Sequence, residues 1–421
     1  GGPAVSGTPA GKIQVDWWVA DTASWREGYK EIITNLQAVY PNIEVRLSSF
    51  AEDYDEKVKA AQAAKTPPDI YIEPVLANAA TSGQFLDLTP FMEKDGFRPD
   101  EIYFQPYMNY FCKYGDKYYA LPRDVFSLAF VYNKDLFDKA GVPYPKEGWT
   151  VQDMLDTAKK LTDVSQKQYG VMIPDIWSAF PLMWSFGADM CNADATRATE
   201  TLNSPETNKF FTFLQDLVFK ENVSPTPQQI ESFGGAAQSG GAFTIFQLGK
   251  IAMMPVERYA VGDFVEAKMN LGAVYIPIGP DCKQWTYGYY PAISIKANIK
   301  NTEPARKFLR YAFGPEGSEV LAKTKYFFPA VKGIPEKLGM DKDPIESVFF
   351  SQLDTKNTTK LAFWWRRPVD ATGVWSPEIL APFDEAWQKI LLQKADVKAT
   401  LEEAAVTIDK NISDYRSQKG N

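Results

Sequence analysis

The sequence predicts an α/β protein organised in two lobes. Three observations carry that prediction. Strand-like and helix-like apolar periodicities alternate as βαβαβ over the first 72 residues, a second series of apolar strands begins at Leu128, and 421 residues suffice for two large or three ordinary cores.

Taken in order, residues 1–11 are rich in Gly, Pro and Ala and read as a flexible leader. Ile13, Val15 and Trp17 then alternate as in a strand. Ser24 and Glu27 have capping-box spacing ahead of a helix that carries Tyr29, Ile32, Ile33, Leu36 and Tyr40 on one face and stops at Pro41-Asn42. Residues 43–47 alternate again, a helix is expected over 54–64, Pro67-Pro68 punctuates, and 69–72 form a short buried strand. Such βαβ crossovers pair their strands in parallel, so each lobe should hold a mainly parallel sheet flanked by helices. Further strands are expected at 128–132, 251–256, 271–276 and 292–295. Thr150 caps a helix whose Met154, Leu155, Ala158 and Leu161 share a face. The C-terminal stretch is helical, with Phe383, Trp387, Ile390 and Leu391 on one face and Leu401, Ala405, Ile408 and Ile412 on another.

Composition narrows the chemistry. Lys and Arg number 45 against 53 Asp and Glu, a net charge of −8, so neither nucleic acid nor an anionic membrane is an expected partner. The chain has no histidine, which excludes Ser-His-Asp and Cys-His catalysis and every His-ligated metal. No cofactor is called for. Cys112, Cys191 and Cys282 lie too far apart for a CxxC motif; each is expected as a buried small hydrophobe, with one disulfide left open. No run approaches 18 apolar residues.

The distinctive material is aromatic: 11 Trp, 21 Tyr and 27 Phe, many of them beside acids in turn-like segments. That pairing suits sugars, whose C–H faces lie on rings while their hydroxyls need acceptors and donors at the rim. The candidate ligand-binding residues are Trp18, Asp21, Asp53, Glu73, Arg123, Asp124, Asp175, Trp177, Glu257, Tyr259, Tyr289, Trp364, Trp365 and Arg366. Asp21, Glu73 and Glu257 each follow a strand, where ligands of open sheets bind. Trp17 alternates with Ile13 and Val15 and belongs to the core, leaving Trp18 for the other face. Some candidates have an equally good structural reading: Asp53 as an N-cap, Arg123 with Asp124 as an ion pair, Trp364-Trp365 as a packed corner.

The order of segments resembles the extracellular solute-binding proteins of carbohydrate-binding family 1, which serve ABC importers and include maltodextrin binders. The matching pieces are Ile13-Gln14-Val15-Asp16-Trp17-Trp18, Pro67-Pro68-Asp69-Ile70-Tyr71, Tyr118-Tyr119-Ala120-Leu121-Pro122, Val131-Tyr132-Asn133-Lys134-Asp135-Leu136-Phe137, Gly141-Val142-Pro143, Gly148-Trp149-Thr150, Gly249-Lys250-Ile251-Ala252-Met253, Ala292-Ile293-Ser294-Ile295, and Pro315-Glu316-Gly317 ahead of Phe328-Pro329-Ala330. The resemblance implies a two-lobed periplasmic-binding-protein-like fold of type II with a ligand cleft between lobes. Residues 12–123 and 290–331 would form the N-terminal lobe, and residues 124–289 and 332–421 the C-terminal lobe. It also implies hinge closure on the ligand, permease subunits as partners, a monomer, and an extracellular or periplasmic location with a lipidated N-terminal anchor. Asp21 and Glu73 would come from the first lobe, Asp175, Trp177 and Tyr259 from the second, and Trp364 from the C-terminal segment. Phe126 stands where the maltodextrin pattern has a sugar-contacting carboxylate and Glu73 where it has an aromatic, which argues against maltodextrin itself.

The expected function is therefore an oligosaccharide receptor for uptake, without turnover. The alternatives are a glycosidase using paired carboxylates, which needs no histidine, and the same scaffold binding a non-sugar solute.

Overall fold

The computed structural model describes residues 11–20, 23–50, 53–72, 80, 83–105, 107–193, 196–233, 239–288, 291–353, 359–361 and 377–419. The chain divides into two compact units, residues 1–125 with 289–338 and residues 126–288 with 339–421. The first boundary falls after Val125, two residues beyond the expected one, because backbone bonds from Arg123 to Pro291 and from Val125 to Phe328 tie this segment to the first unit. The third falls after Leu338, since Lys332 donates to the Ile102 carbonyl and the short helix Ile334–Lys337 follows directly.

In the first unit, strands β1 (Ile13–Ala20), β2 (Ile43–Phe50) and β3 (Ile70–Ile72) alternate with helices Ala23–Val39 and Tyr54–Ala63. A small hairpin, β4 (Lys113–Tyr114) and β5 (Lys117–Tyr118), precedes β6 (Ala120–Pro122). In the second unit the strands are β7 (Leu128–Asn133), β8 (Tyr169–Val171), β9 (Ile251–Glu257), β10 (Leu271–Val274) and β11 (Thr286–Gly288). The chain then returns to the first unit as β12 (Ala292–Ile295) and ends in the second with β13 (Thr359–Leu361) and helices Pro377–Leu392 and Val397–Lys419.

The first sheet has the order β2-β1-β3-β12-β6 and the second β10-β7-β9-β8. β1 pairs in parallel with β2 and β3, as the crossovers demand, but β12 is antiparallel to β3 and β6. In the second sheet only β8 and β9 are parallel, and β7 is antiparallel to both β9 and β10. Four of the five strands of the first sheet and three of the four of the second thus run the same way, the mainly parallel arrangement expected, with β12 and β7 as the reversed strands. The reason for β12 is the repeated crossing: β6 leads out of the first unit and β12 leads back in, so they must run in opposite senses.

Local details follow the sequence closely. Trp17 is wholly buried between Tyr29, Phe308 and Phe313, 4.9 to 5.8 Å between ring centroids. Thr150 forms a full capping box with Asp153 and starts the helix Val151–Leu161, which buries Met154, Ala158 and Leu161. The first helix starts at Ala23, so Ser24 lies inside it, and Glu27 pairs with Lys30 at 2.7 Å. All three cysteines are free thiols; Cys112 and Cys191 are buried, whereas Cys282 is exposed, in a left-handed turn at φ 61° that faces water. Among the described residues no helix is long and apolar enough to cross a membrane.

Candidate functional site

In the second unit, β8 and β9 are parallel neighbours, with Tyr169 opposite Ile251 and Val171 opposite Met253. Their carboxyl ends therefore face the same way, and an acid follows each. β9 ends on half-buried Glu257, and four residues beyond β8 Asp175 opens the helix Ile176–Ser185. Asp175 is an N-cap: its Oδ1 accepts the Ser178 N–H at 2.8 Å, satisfying one of the orphan donors of the first turn. This fixes the carboxylate and sets Trp177, half-buried, in the first turn, its ring 5.8 Å from the buried ring of Phe180.

Tyr259 joins the two acids. Its hydroxyl donates to the Glu257 carboxylate, and its phenol is pushed well above the usual range by burial first and then by the negative charges of Glu257, Asp175 and Asp263. Its ring lies 5.7 Å from Phe126 and 6.3 Å from Phe243, between centroids. Arg258, between Glu257 and Tyr259 in sequence, is buried instead and makes a two-pronged ion pair with Glu346, with Nε 2.5 Å from Oε2. Aromatic faces beside fixed carboxylates can stack on a pyranose and accept its hydroxyl protons.

The first unit carries a smaller group of the same kind. Trp18, half-buried, sits on the face of β1 opposite Trp17, and its ring is 5.1 Å from that of Phe50, the last residue of β2. Phe50 in turn is 6.3 Å from Tyr54 and carries Lys57 Nζ 4.8 Å from its centroid. The Tyr54 hydroxyl donates to the Ile72 carbonyl at 3.2 Å and accepts the Ile72 N–H at 2.9 Å, closing the end of β3. Asp53 occupies the N-cap position of Tyr54–Ala63 but makes no side-chain cap bond, is exposed, and holds a left-handed φ of 57°. The capping role that a sequence reading offers for it is thus not the one it plays.

Arg123 and Asp124 face each other, buried at 4% and 0% exposure, with Nε and Oδ1 2.7 Å apart. The guanidinium lies 5.2 Å from the Trp25 ring and 4.9 Å from Phe327, and Nη1 donates to the Tyr29 hydroxyl at 3.4 Å. Asp21, Glu73, Tyr289, Trp364, Trp365 and Arg366 lie outside the described residues; β1 ends one residue before Asp21 and β3 one residue before Glu73. Of the sequence candidates the structure brings together Asp175, Glu257 and Tyr259. Sequence reasoning paired Tyr54 with Asp53 but missed Phe243 and Phe50 as neighbours. Phe50 stands three residues before Asp53 and could have been found with it; Phe243, three residues before Phe246 in a helix, reads as core.

The pattern shared by bacterial extracellular solute-binding proteins matches residues 20–319. A binding protein of Brucella abortus is 26% identical over 305 residues, covering 70% of this chain and 67% of its own. The maltotriose-binding protein of Pyrococcus abyssi is 22% identical over 325 residues, 75% of this chain and 66% of its own. Among solved structures, an ABC substrate-binding protein from Listeria monocytogenes in complex with cycloalternan superposes with a TM-score of 0.82 at 23% identity, covering 96% of this chain and 99% of its own.

Proposed function

Since the chain belongs to the bacterial extracellular solute-binding protein family, we propose that it is the receptor of an ABC importer for an oligosaccharide, which it binds without breaking. One observation carries the reading: parallel β8 and β9 deliver Asp175 and Glu257 to one edge of a sheet, where Tyr259 hydrogen-bonds Glu257 beside Phe126 and Phe243. In this proposal Trp177 and Tyr259 stack on sugar rings while Asp175 and Glu257 accept hydroxyl protons and select their geometry. Trp18, Phe50 and Asp53 serve the same ligand, and hinge closure at the chain crossings produces the form that permease subunits recognise. Attachment to the membrane through a lipid-modified cysteine belongs to the same proposal. The Listeria and Pyrococcus proteins, by what they bind, favour a glucan-type oligosaccharide.

The test is a titration of intrinsic Trp fluorescence with cycloalternan, maltotriose, a polyol and a polyamine, followed by chromatography of the sugars. Saturation by at least one oligosaccharide, recovered intact, is the expected result. Saturation by the non-sugar solutes alone would overturn the sugar reading. The nearness of two carboxylates to Tyr259 also admits a glycosidase, and shorter sugars accumulating with time would establish that instead.

A further inference from the structure

A cavity of about 490 Å³ opens in the first unit against the helix Thr302–Phe313, away from the Trp18 and Asp53 group. Tyr40, one of its walls, lies three residues before the start of β2 and accepts the Ile43 N–H on its carbonyl, and Asn301, which opens the helix, donates to the Gln14 carbonyl at the start of β1. The cavity therefore lies toward the amino ends of strands whose carboxyl ends carry Trp18 and Phe50. Its cations are Lys94, Arg306, Lys307 and Arg310, and its acids Asp95, Glu303 and Glu316.

Two of those acids are already engaged. Arg306 pairs with Asp95 at 2.6 Å and Lys307 with Glu303 at 2.7 Å. Arg310 and Lys94 have no ion-pair partner among the described residues. Arg306 and Arg310 stand one helical turn apart, and each guanidinium is laid over a phenyl ring, Phe91 at 4.0 Å and Phe97 at 5.2 Å. Phe97 is itself buried, and both rings line a small apolar pocket that shares Arg306 and Arg310 with the cavity. A guanidinium held by a ring has its orientation set in advance, so less entropy is lost when its N–H fork engages an oxyanion. We propose that this cavity is a second ligand site, for a phosphate-class oxyanion gripped by the Arg310 fork and Lys94, with Arg306 fixed by Asp95 completing the positive wall.

Calorimetric titration with inorganic phosphate at constant ionic strength tests this on the whole chain. We expect saturable binding that weakens tenfold or more in Arg310→Ala, since a charge-assisted bidentate contact is lost, and less in Arg310→Lys, which keeps the charge but not the fork. Lys94→Ala, on a different helix, should weaken it independently. Arg310 and Lys94 are exposed, so thermal melts of the variants should match the parent. No saturation in the parent, or parental affinity in both Arg310→Ala and Lys94→Ala, overturns the proposal. Where phosphate binds, cosedimentation with phosphatidylglycerol vesicles that is lost in Arg310→Ala identifies a lipid headgroup as the source, and absence of cosedimentation identifies free phosphate.

Discussion

Changing Glu346 to Gln should reach the candidate site without touching it. Arg258 lies between Glu257 and Tyr259, with its side chain 2% exposed, and its charge is met by Glu346, which is 17% exposed. Gln keeps the shape but removes the negative charge that Glu346 sets against the buried guanidinium. Breaking a buried ion pair costs about 3–5 kcal/mol; with Glu346 partly in water, about 2–4 kcal/mol is expected. For a unit of this size that corresponds to a melting temperature lower by roughly 4–16 °C. Because Glu257 and Tyr259 are held by the same short segment, the oligosaccharide dissociation constant should rise about tenfold, or 1.4 kcal/mol. Calorimetric melting and Trp fluorescence titration measure the two effects separately. The double variant Arg258→Met, Glu346→Leu removes both charges and should recover most of the lost stability. The reasoning fails if Glu346→Gln melts within about 2 °C of the parent. A large loss of stability with unchanged affinity would refute the positioning step alone.

Trp177→Ala should weaken sugar binding by about tenfold while moving the melting temperature by only a few degrees, because the ring is half-buried; a loss above about 3 kcal/mol would make packing on Phe180 its main role. Tyr259→Phe deletes the hydroxyl that Glu257 accepts and should cost about tenfold in affinity, equally at pH 6 and pH 9. The sign follows from the raised phenol: the folded protein keeps this proton longer than the unfolded chain, so its contribution to stability declines only as pH climbs past about 10, and a pH-dependent difference below that would contradict it. Asp53→Gly relieves a left-handed residue that caps nothing, so stability should hold or rise by up to about 1 kcal/mol while affinity falls; unchanged affinity would remove Asp53 from the site.

What the sequence discloses depends on whether the cause is local. β1, β2, β3 and the helices between them are legible because Ile13, Val15 and Trp17, or Tyr29, Ile32 and Leu36, each report a face that folding must bury. Strand direction is a different matter: nothing in Ala292–Ile295 states that it enters antiparallel between β3 and β6, since that follows from where the chain has been in the preceding 170 or so residues. The same distinction governs the site. Glu257 can be read because an acid just past a buried strand has no structural need to be there unless it caps or binds, and Asp175 because it stands two residues from Trp177; the structure adds that Asp175 is positioned by capping, four residues beyond β8. Arg258 is legible only as a charge in an apolar neighbourhood, and its partner Glu346 lies 88 residues away. Phe243 is harder still, for a ring at helical spacing carries the same signal whether it fills a core or walls a site, and here it neighbours both the core ring of Phe264, at 5.8 Å between centroids, and the candidate Tyr259, at 6.3 Å. Cutting it back to Ala should therefore lower stability by about 3 kcal/mol and affinity together, where Trp177→Ala separates them.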